Sequence, residues 1–149
     1  MCRGYEKRKI FSNICPKGRG AGEKYVHDNY AKELKAYQSK KNHLNIVLVV
    51  VIDTDLNSIE DRIKSLGKKS QRLDNEKVAI FIPKRNIETW FRYLDKDDYN
   101  QEDDYKKEYK NSSTSKFAEK LAKEICSKEL PDDAPHSLFH ACKELKRLH

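Results

Sequence analysis

Apolar residues occur along the chain in two rhythms, and each predicts a kind of element. From Leu44 to Asp53 the run Leu-Asn-Ile-Val-Leu-Val-Val-Val-Ile-Asp is almost continuously apolar and rich in β-branched residues. It lacks the alternation of a half-exposed strand, so it predicts a strand covered on both faces at the centre of a parallel sheet. Val78-Ala79-Ile80-Phe81-Ile82, stopped by Pro83, predicts another buried strand, and the shorter Arg8 to Cys15 segment, stopped by Pro16, a further one. Elsewhere the apolar positions return every three or four residues, the mark of one helical face. Tyr25, Val26, Asn29, Tyr30, Leu34 and Tyr37 predict a helix closed by Lys40-Lys41-Asn42-His43, where positive charge suits the carboxyl end of the helix dipole. Ser58 caps a predicted helix with Ile59, Ile63 and Leu66, stopped at Gly67. Asn86 caps another with Ile87, Trp90, Phe91 and Leu94. After an acidic stretch without apolar period, Asp95 to Lys110, two last helices are predicted: one capped by Ser115, with Phe117, Leu121 and Ile125, and one with Leu138, Phe139, Cys142, Leu145 and Leu148. The acidic stretch is expected to be a solvated loop or a lid. The order strand, helix, strand, helix, strand, helix predicts an α/β fold, a mostly parallel sheet of three to four strands flanked by helices, with two C-terminal helices.

Composition narrows this picture. At 149 residues the chain matches one domain of the usual size, roughly 100–200 residues, so residues 1–149 are expected to form a single unit with its core at 8–94, an acidic loop at 95–112 and helices at 113–148. The longest apolar run, Ile46 to Ile52, is too short for a membrane span, and no apolar stretch follows the basic N-terminal residues as in a secretory signal. A cytoplasmic location without membrane contact is therefore expected. Cys2, Cys15, Cys126 and Cys142 form no Cys-x-x-Cys motif and are expected to be free thiols, although spacing alone leaves a pairing open. The net charge of +7 is unevenly spread: residues 1–43 hold 11 Lys and Arg against 4 Asp and Glu, whereas residues 95–149 hold 11 against 13. A basic front suits a polyanion such as nucleic acid, since lysine and arginine neutralise phosphates and release counterions. The same lysines also serve plain solubility.

Ligands of open parallel sheets bind beyond the carboxyl ends of the strands, where loops and helix N-termini converge. All three predicted strands end in polar residues. The first leads through the glycine-rich Lys17 to Gly22 turn to Glu23, the second ends in Asp53 and Asp55, and the third in Lys84, Arg85, Asn86 and Glu88. Hard oxygen ligands of this kind suit Mg²⁺ or Mn²⁺, and Lys17, Arg19, Lys84 and Arg85 could contact phosphates. Taken singly, each has a plainer role: Asp53 and Asp55 as turn or cap residues, Glu23 and Glu88 as first-turn acids, Lys84 and Arg85 as solvated loop charges. An aspartyl nucleophile at Asp53 is disfavoured by Leu56-Asn57 after the motif.

The glycine-flanked Glu23, the Ile-Val-Leu-Val-Val-Val-Ile-Asp-Thr-Asp run and Phe-Ile-Pro-Lys-Arg-Asn-Ile-Glu-Thr-Trp together resemble the TOPRIM-like domains of prokaryotic phage-defence and overcoming-lysogenization-defect-type nucleases, over about residues 8–94. The resemblance implies a Rossmann-like sheet whose acids, Glu23, Asp53, Asp55 and Glu88, are the catalytic residues of Mg²⁺- or Mn²⁺-dependent phosphodiester cleavage in phage defence, with Asp53, Asp55 and Glu88 as the metal ligands. Nucleic acid is the expected partner, with a second copy of the chain or a defence-system protein beside it. The alternative is a non-catalytic nucleic-acid-binding or assembly module on the same fold.

Overall fold

The computed structural model describes residues 10–16, 22–54, 56–96, 98–100 and 102–149. Two of the expected strands form. β1 (Leu48–Val51) and β2 (Val78–Phe81) pair in parallel, Leu48 opposite Val78 and Val51 opposite Phe81. Among the described residues six α-helices surround them: α1 (Gly22–Lys40), α2 (Ile59–Gly67), α3 (Glu88–Lys96), α4 (Lys106–Tyr109), α5 (Thr114–Lys120) and α6 (His136–Leu145). A π-helical turn, Leu121–Ile125, prolongs α5, and a short 3-10 turn, Lys146–Leu148, prolongs α6.

The alternation of side chains along a strand splits the interior into two layers. Val78, Ile80 and Ile82 face Tyr30, Leu34 and Tyr37 of α1 and Ile59 and Leu66 of α2. Ala79 and Phe81 face the opposite way, into a cluster with Trp90, Phe91 and Leu94 of α3, Phe117 of α5 and Leu138 and Ala141 of α6. β2 is thus the doubly covered strand. β1 is not: Val50 and Ile52 are buried, whereas Val49 and Val51 remain 42% exposed. The far helical layer centres on β2 and leaves that face of β1 half open, so the apolar run marks a strand there without marking burial on both faces.

Among the described residues the sheet has two strands rather than the three to four expected, and the segment from Arg8 to Cys15 is not a strand where it is described, from residue 10 onward. Two physical reasons account for this. Its middle is drawn onto α1: the Tyr25 hydroxyl donates to Asn13 Oδ1 at 2.5 Å, and Asn13 Nδ2 donates to Glu33 Oε1 at 2.9 Å. Phe11 and Ile14 consequently stay 94% and 77% exposed. The outer edge of β2, moreover, is already filled by side chains. Arg72 Nη1 and Arg147 Nε donate to the Val78 carbonyl at 2.8 and 3.1 Å, the Ile80 N–H donates to Glu144 Oε2 at 2.7 Å, and His140 Nε2 donates to the Ile80 carbonyl at 3.1 Å. A third strand on that side would find these backbone groups taken.

Local signals explain the helices. Ser58 caps α2 by accepting from the Asp61 N–H at 3.0 Å. Ser58→Ala should therefore cost about 1 kcal/mol in a urea melt, the ordinary worth of such a cap, and an unchanged midpoint would show that the cap contributes nothing. The helix expected to start at Ser115 begins two residues earlier, with Ser113 as its cap residue and Ser115 inside the first turn. The acidic stretch is more ordered than a solvated loop. Tyr109 is buried against Phe91 and Phe117, and Arg92 holds Asp98 Oδ1 at 2.7 Å and Glu108 Oε1 at 2.8 Å. Its apolar content is three tyrosines, of which only Tyr105 and Tyr109 stand at helical spacing, too short a pattern to predict a helix. The free-thiol expectation fails for two cysteines: α6 and the turn after the π-helical segment bring Cys126 and Cys142 to a Cα separation of 4.9 Å, and they form a disulfide. Cys15 is a free thiol. Among the described residues no helix is long and apolar enough to cross a membrane.

Candidate functional site

Beyond the ends of both strands the parallel ladder continues. The Ile52 N–H donates to the Phe81 carbonyl and the Thr54 N–H to the Pro83 carbonyl, each at 3.1 Å. Asp53 therefore leaves the sheet beside the segment Pro83-Lys84-Arg85-Asn86 that leaves β2. α3 starts directly after that segment, with half-buried Glu88 in its first turn.

A third segment is tied to the same edge by Arg62. This arginine occupies the inner face of α2, between Ile59 and Leu66, and its side chain is only 4% exposed. Its Nη2 donates to the Thr54 carbonyl at 2.9 Å, and its Nη1 forms an ion pair with Glu23 in the first turn of α1. The carboxylate of Glu23 thus reaches the carboxyl edge of the sheet already engaged by a buried guanidinium. A buried cation needs such a partner, since desolvation without one would be costly.

On the β2 side the acidic stretch closes in. Lys84 Nζ pairs with Glu102 Oε1 at 2.6 Å, and Lys84 holds the Glu102 carboxyl below its ordinary range by hydrogen bond and charge. Asn86 Nδ2 donates to Asp104 Oδ1 at 3.2 Å. Between them the backbone makes a tight reversal: the Asn86 N–H donates to the Lys84 carbonyl at 2.7 Å, and Arg85 takes φ 59°. A γ-turn with a non-glycine residue at positive φ is rare and strained, and such strain collects at functional loops.

Two buried side-chain atoms flanking this edge lack a hydrogen-bond partner, Arg62 Nε and Asn86 Oδ1. An orphaned buried donor or acceptor costs about 1–3 kcal/mol, so each calls for a reason. Of the sequence-derived residues, Glu23, Asp53, Lys84, Arg85 and Glu88 can be placed, while Asp55, Lys17 and Arg19 lie outside the described residues. Among the described residues no group of three or more His, Cys, Asp or Glu is arranged to hold a metal, so Glu23, Asp53 and Glu88 do not form a closed ligand set by themselves.

Arg62, Glu102 and Asp104 are not among the sequence-derived site residues, and Asn86 enters there only as a strand-end and cap residue. Arg62 had a signal: it falls three residues after Ile59 and four before Leu66, on the inner stripe of its helix, where a charge must find a buried partner. Glu102 and Asp104 had none, because their placement depends on the acidic stretch folding back over β2. Comparison with family models, curated proteins and solved structures gives no match for this chain.

Proposed function

We propose that the carboxyl edge of the sheet acts on nucleic acid with a divalent metal, Mg²⁺ or Mn²⁺, and cleaves phosphodiester bonds. The observation that supports this reading most is the prolonged ladder. It sets Asp53 beside the Lys84–Asn86 turn, while Arg62 ties the start of α1 to Thr54, one residue from Asp53. The donor chemistry fits: Asp53 at the strand end and Asp55, two residues on in sequence, carry hard oxygen ligands. Mg²⁺ commonly takes only one or two protein carboxylates and completes its shell with water and substrate phosphates. Asp53 and Asp55 would hold the metal, and Glu88 would complete the set. When bound, the metal would lower the pKa of a bound water and offset charge on the phosphate. Lys84 and Arg85 would position flanking phosphates without reading sequence.

The ion pairs favour a second reading. Glu23 is engaged by Arg62 and Lys84 by Glu102, which suits a non-catalytic nucleic-acid-binding or assembly module. Mn²⁺ titration of the wild type and of Asp53→Ala, with single-stranded and duplex DNA and RNA as substrates, separates the two. Under the first reading Mn²⁺ binds, Asp53→Ala weakens it by at least about tenfold, or ~1.4 kcal/mol, and cleavage disappears. Nucleic-acid binding that ignores metal and survives Asp53→Ala assigns the second. No binding of metal or nucleic acid sinks both.

A further inference from the structure

The opposite edge of the sheet carries an open, groove-like cavity of about 520 Å³, lined mostly by exposed residues. It lies at the amino ends of the strands: in its wall Ile46 stands two residues before β1, Lys77 directly precedes β2, and Lys41 follows the last turn of α1. We propose that this cavity binds a nucleoside 5′-phosphate, with Lys41 and Lys77 taking the phosphate and the carboxamides of Asn42, Asn45 and Asn75 taking the base. The proposal stands apart from the carboxyl-edge reading and shares none of its residues.

Lys41 is pre-positioned. Its Nζ donates to buried Glu76 Oε1 at 2.7 Å, and Glu76 is itself saturated by the Leu73 N–H at 2.8 Å and Gln38 Nε2 at 3.2 Å. Burial alone would raise the Glu76 carboxyl, but these three donors outweigh it and hold the carboxyl below its ordinary range. An ammonium has three donors, so one bond to Glu76 orients Lys41 and leaves others for a ligand. The carboxyl end of α1 would repel an anion, but two of its last four carbonyls are already engaged: Tyr37 accepts from the Lys41 N–H, and Lys40 from the N–H groups of His43 and Leu44.

Size and lining select the ligand class. A bare phosphate would leave most of this volume empty, whereas pockets of roughly 300–1,000 Å³ suit ligands of nucleotide size. Carboxamides supply both donors and acceptors, as the edges of a base require. Here they come from two chain segments, 42–45 and 75, that face one cavity. Ile46 and Tyr37 add an apolar wall for a ring to lie against.

The test is an amide chemical-shift titration of the full chain with AMP, with inorganic phosphate and with a 5′-phosphorylated pentanucleotide. AMP should shift residues 41–46 and 75–77 and bind at least about tenfold tighter than phosphate. Lys77→Glu should weaken AMP by at least about tenfold. Its fold should survive, because Lys77 bonds Tyr37 and Leu48 through its backbone. Asn45→Ala, at an exposed position, gives an independent loss should Lys77→Glu disturb the fold. Lys41 is left intact, since removing it would strand Glu76. Tighter binding of the pentanucleotide identifies a nucleic-acid 5′ end as the source, and tighter AMP a free nucleotide. No shift with AMP or pentanucleotide at about 10 mM, equal affinity in both variants and wild type, or shifts confined to Asp53 and Lys84 would overturn the proposal.

Discussion

Glu144→Ala should lower the unfolding free energy by about 3 kcal/mol, the low end of the cost of removing one member of a buried ion pair. Glu144 on α6 is a buried residue whose two carboxylate oxygens serve three donors. Arg72 engages both oxygens, with Nη2 to Oε1 at 2.8 Å, and the Ile80 N–H donates to Oε2 at 2.7 Å. Alanine would leave the Ile80 amide without its partner and the Arg72 guanidinium with only the Val78 carbonyl at the edge of β2. Arg72 keeps 15% of its side chain exposed, and water there softens the loss, which is why the low end applies. Glu144→Gln keeps an acceptor for Ile80 and should lose about half as much. Urea melts with unchanged slope would measure both, and a loss below about 1 kcal/mol for alanine would contradict the assignment. The pH dependence is a second readout. Burial would raise the Glu144 carboxyl, but Arg72, the Ile80 amide and His140 outweigh it and hold it below its ordinary range. Its contribution is present above the ordinary carboxylate pKa and is lost as pH falls through the lowered folded value. Burial also pushes His140 down, against the opposing pull of Glu144. The neutral imidazole is favoured in the fold, and stability falls as pH drops below the ordinary histidine value of about 6.5. Acid should therefore destabilise the wild type in two stages, and Glu144→Ala should lack the Glu144 part of the lower one.

How far the sequence specified the fold follows from which interactions are local. The α2 helix was legible because Ser58, Ile59, Leu66 and Gly67 lie within ten residues and carry cap, stripe and stop together. The run before Asp53 showed a strand, but the burial of each face depended on where distant helices settled, and they centred on β2. The size of the sheet was not legible at all. On the β2 side it is limited by Arg72, His140, Glu144 and Arg147, whose side chains fill the place beside that strand, and nothing local to residues 8–15 announces that. At the candidate site the same division holds. The strand-end positions of Asp53 and Lys84 could be read from the apolar runs that precede them. The engagement of Glu23 by Arg62 spans 39 residues and that of Lys84 by Glu102 spans 18. Such pairings turn a sequence pattern of exposed acids and bases into a partly neutralised edge, which changes what that edge can offer a polyanion.

Reduction of the Cys126–Cys142 disulfide should cost about 3 kcal/mol, the loss that chain entropy predicts for a loop of this size. The bridge closes a segment of 16 residues that joins the π-helical turn after α5 to the middle of α6. That segment contains Leu130 and Ala134, which pack into the cluster around Trp90 and Leu138. Once the bridge opens, the unfolded chain regains the freedom of the loop while the folded side keeps its apolar contacts. The effect should therefore appear as a lower urea midpoint with retained helical signal in native buffer. Cys126 is a half-buried residue and Cys142 a buried one, so reductant should attack at Cys126 first. The decisive comparison is wild type against the Cys126→Ser/Cys142→Ser double variant, each with and without dithiothreitol. Reductant should bring the wild-type midpoint down to that of the double variant and leave the variant unmoved. A wild-type midpoint indifferent to reductant, with both thiols then accessible to alkylation, would show that the bridge contributes nothing to stability. Such bridges persist in oxidising surroundings and are rare in the cytosol. The same melt in a glutathione buffer of cytosolic poise would tell whether the oxidised or the reduced stability applies where the cytoplasmic expectation would place the chain.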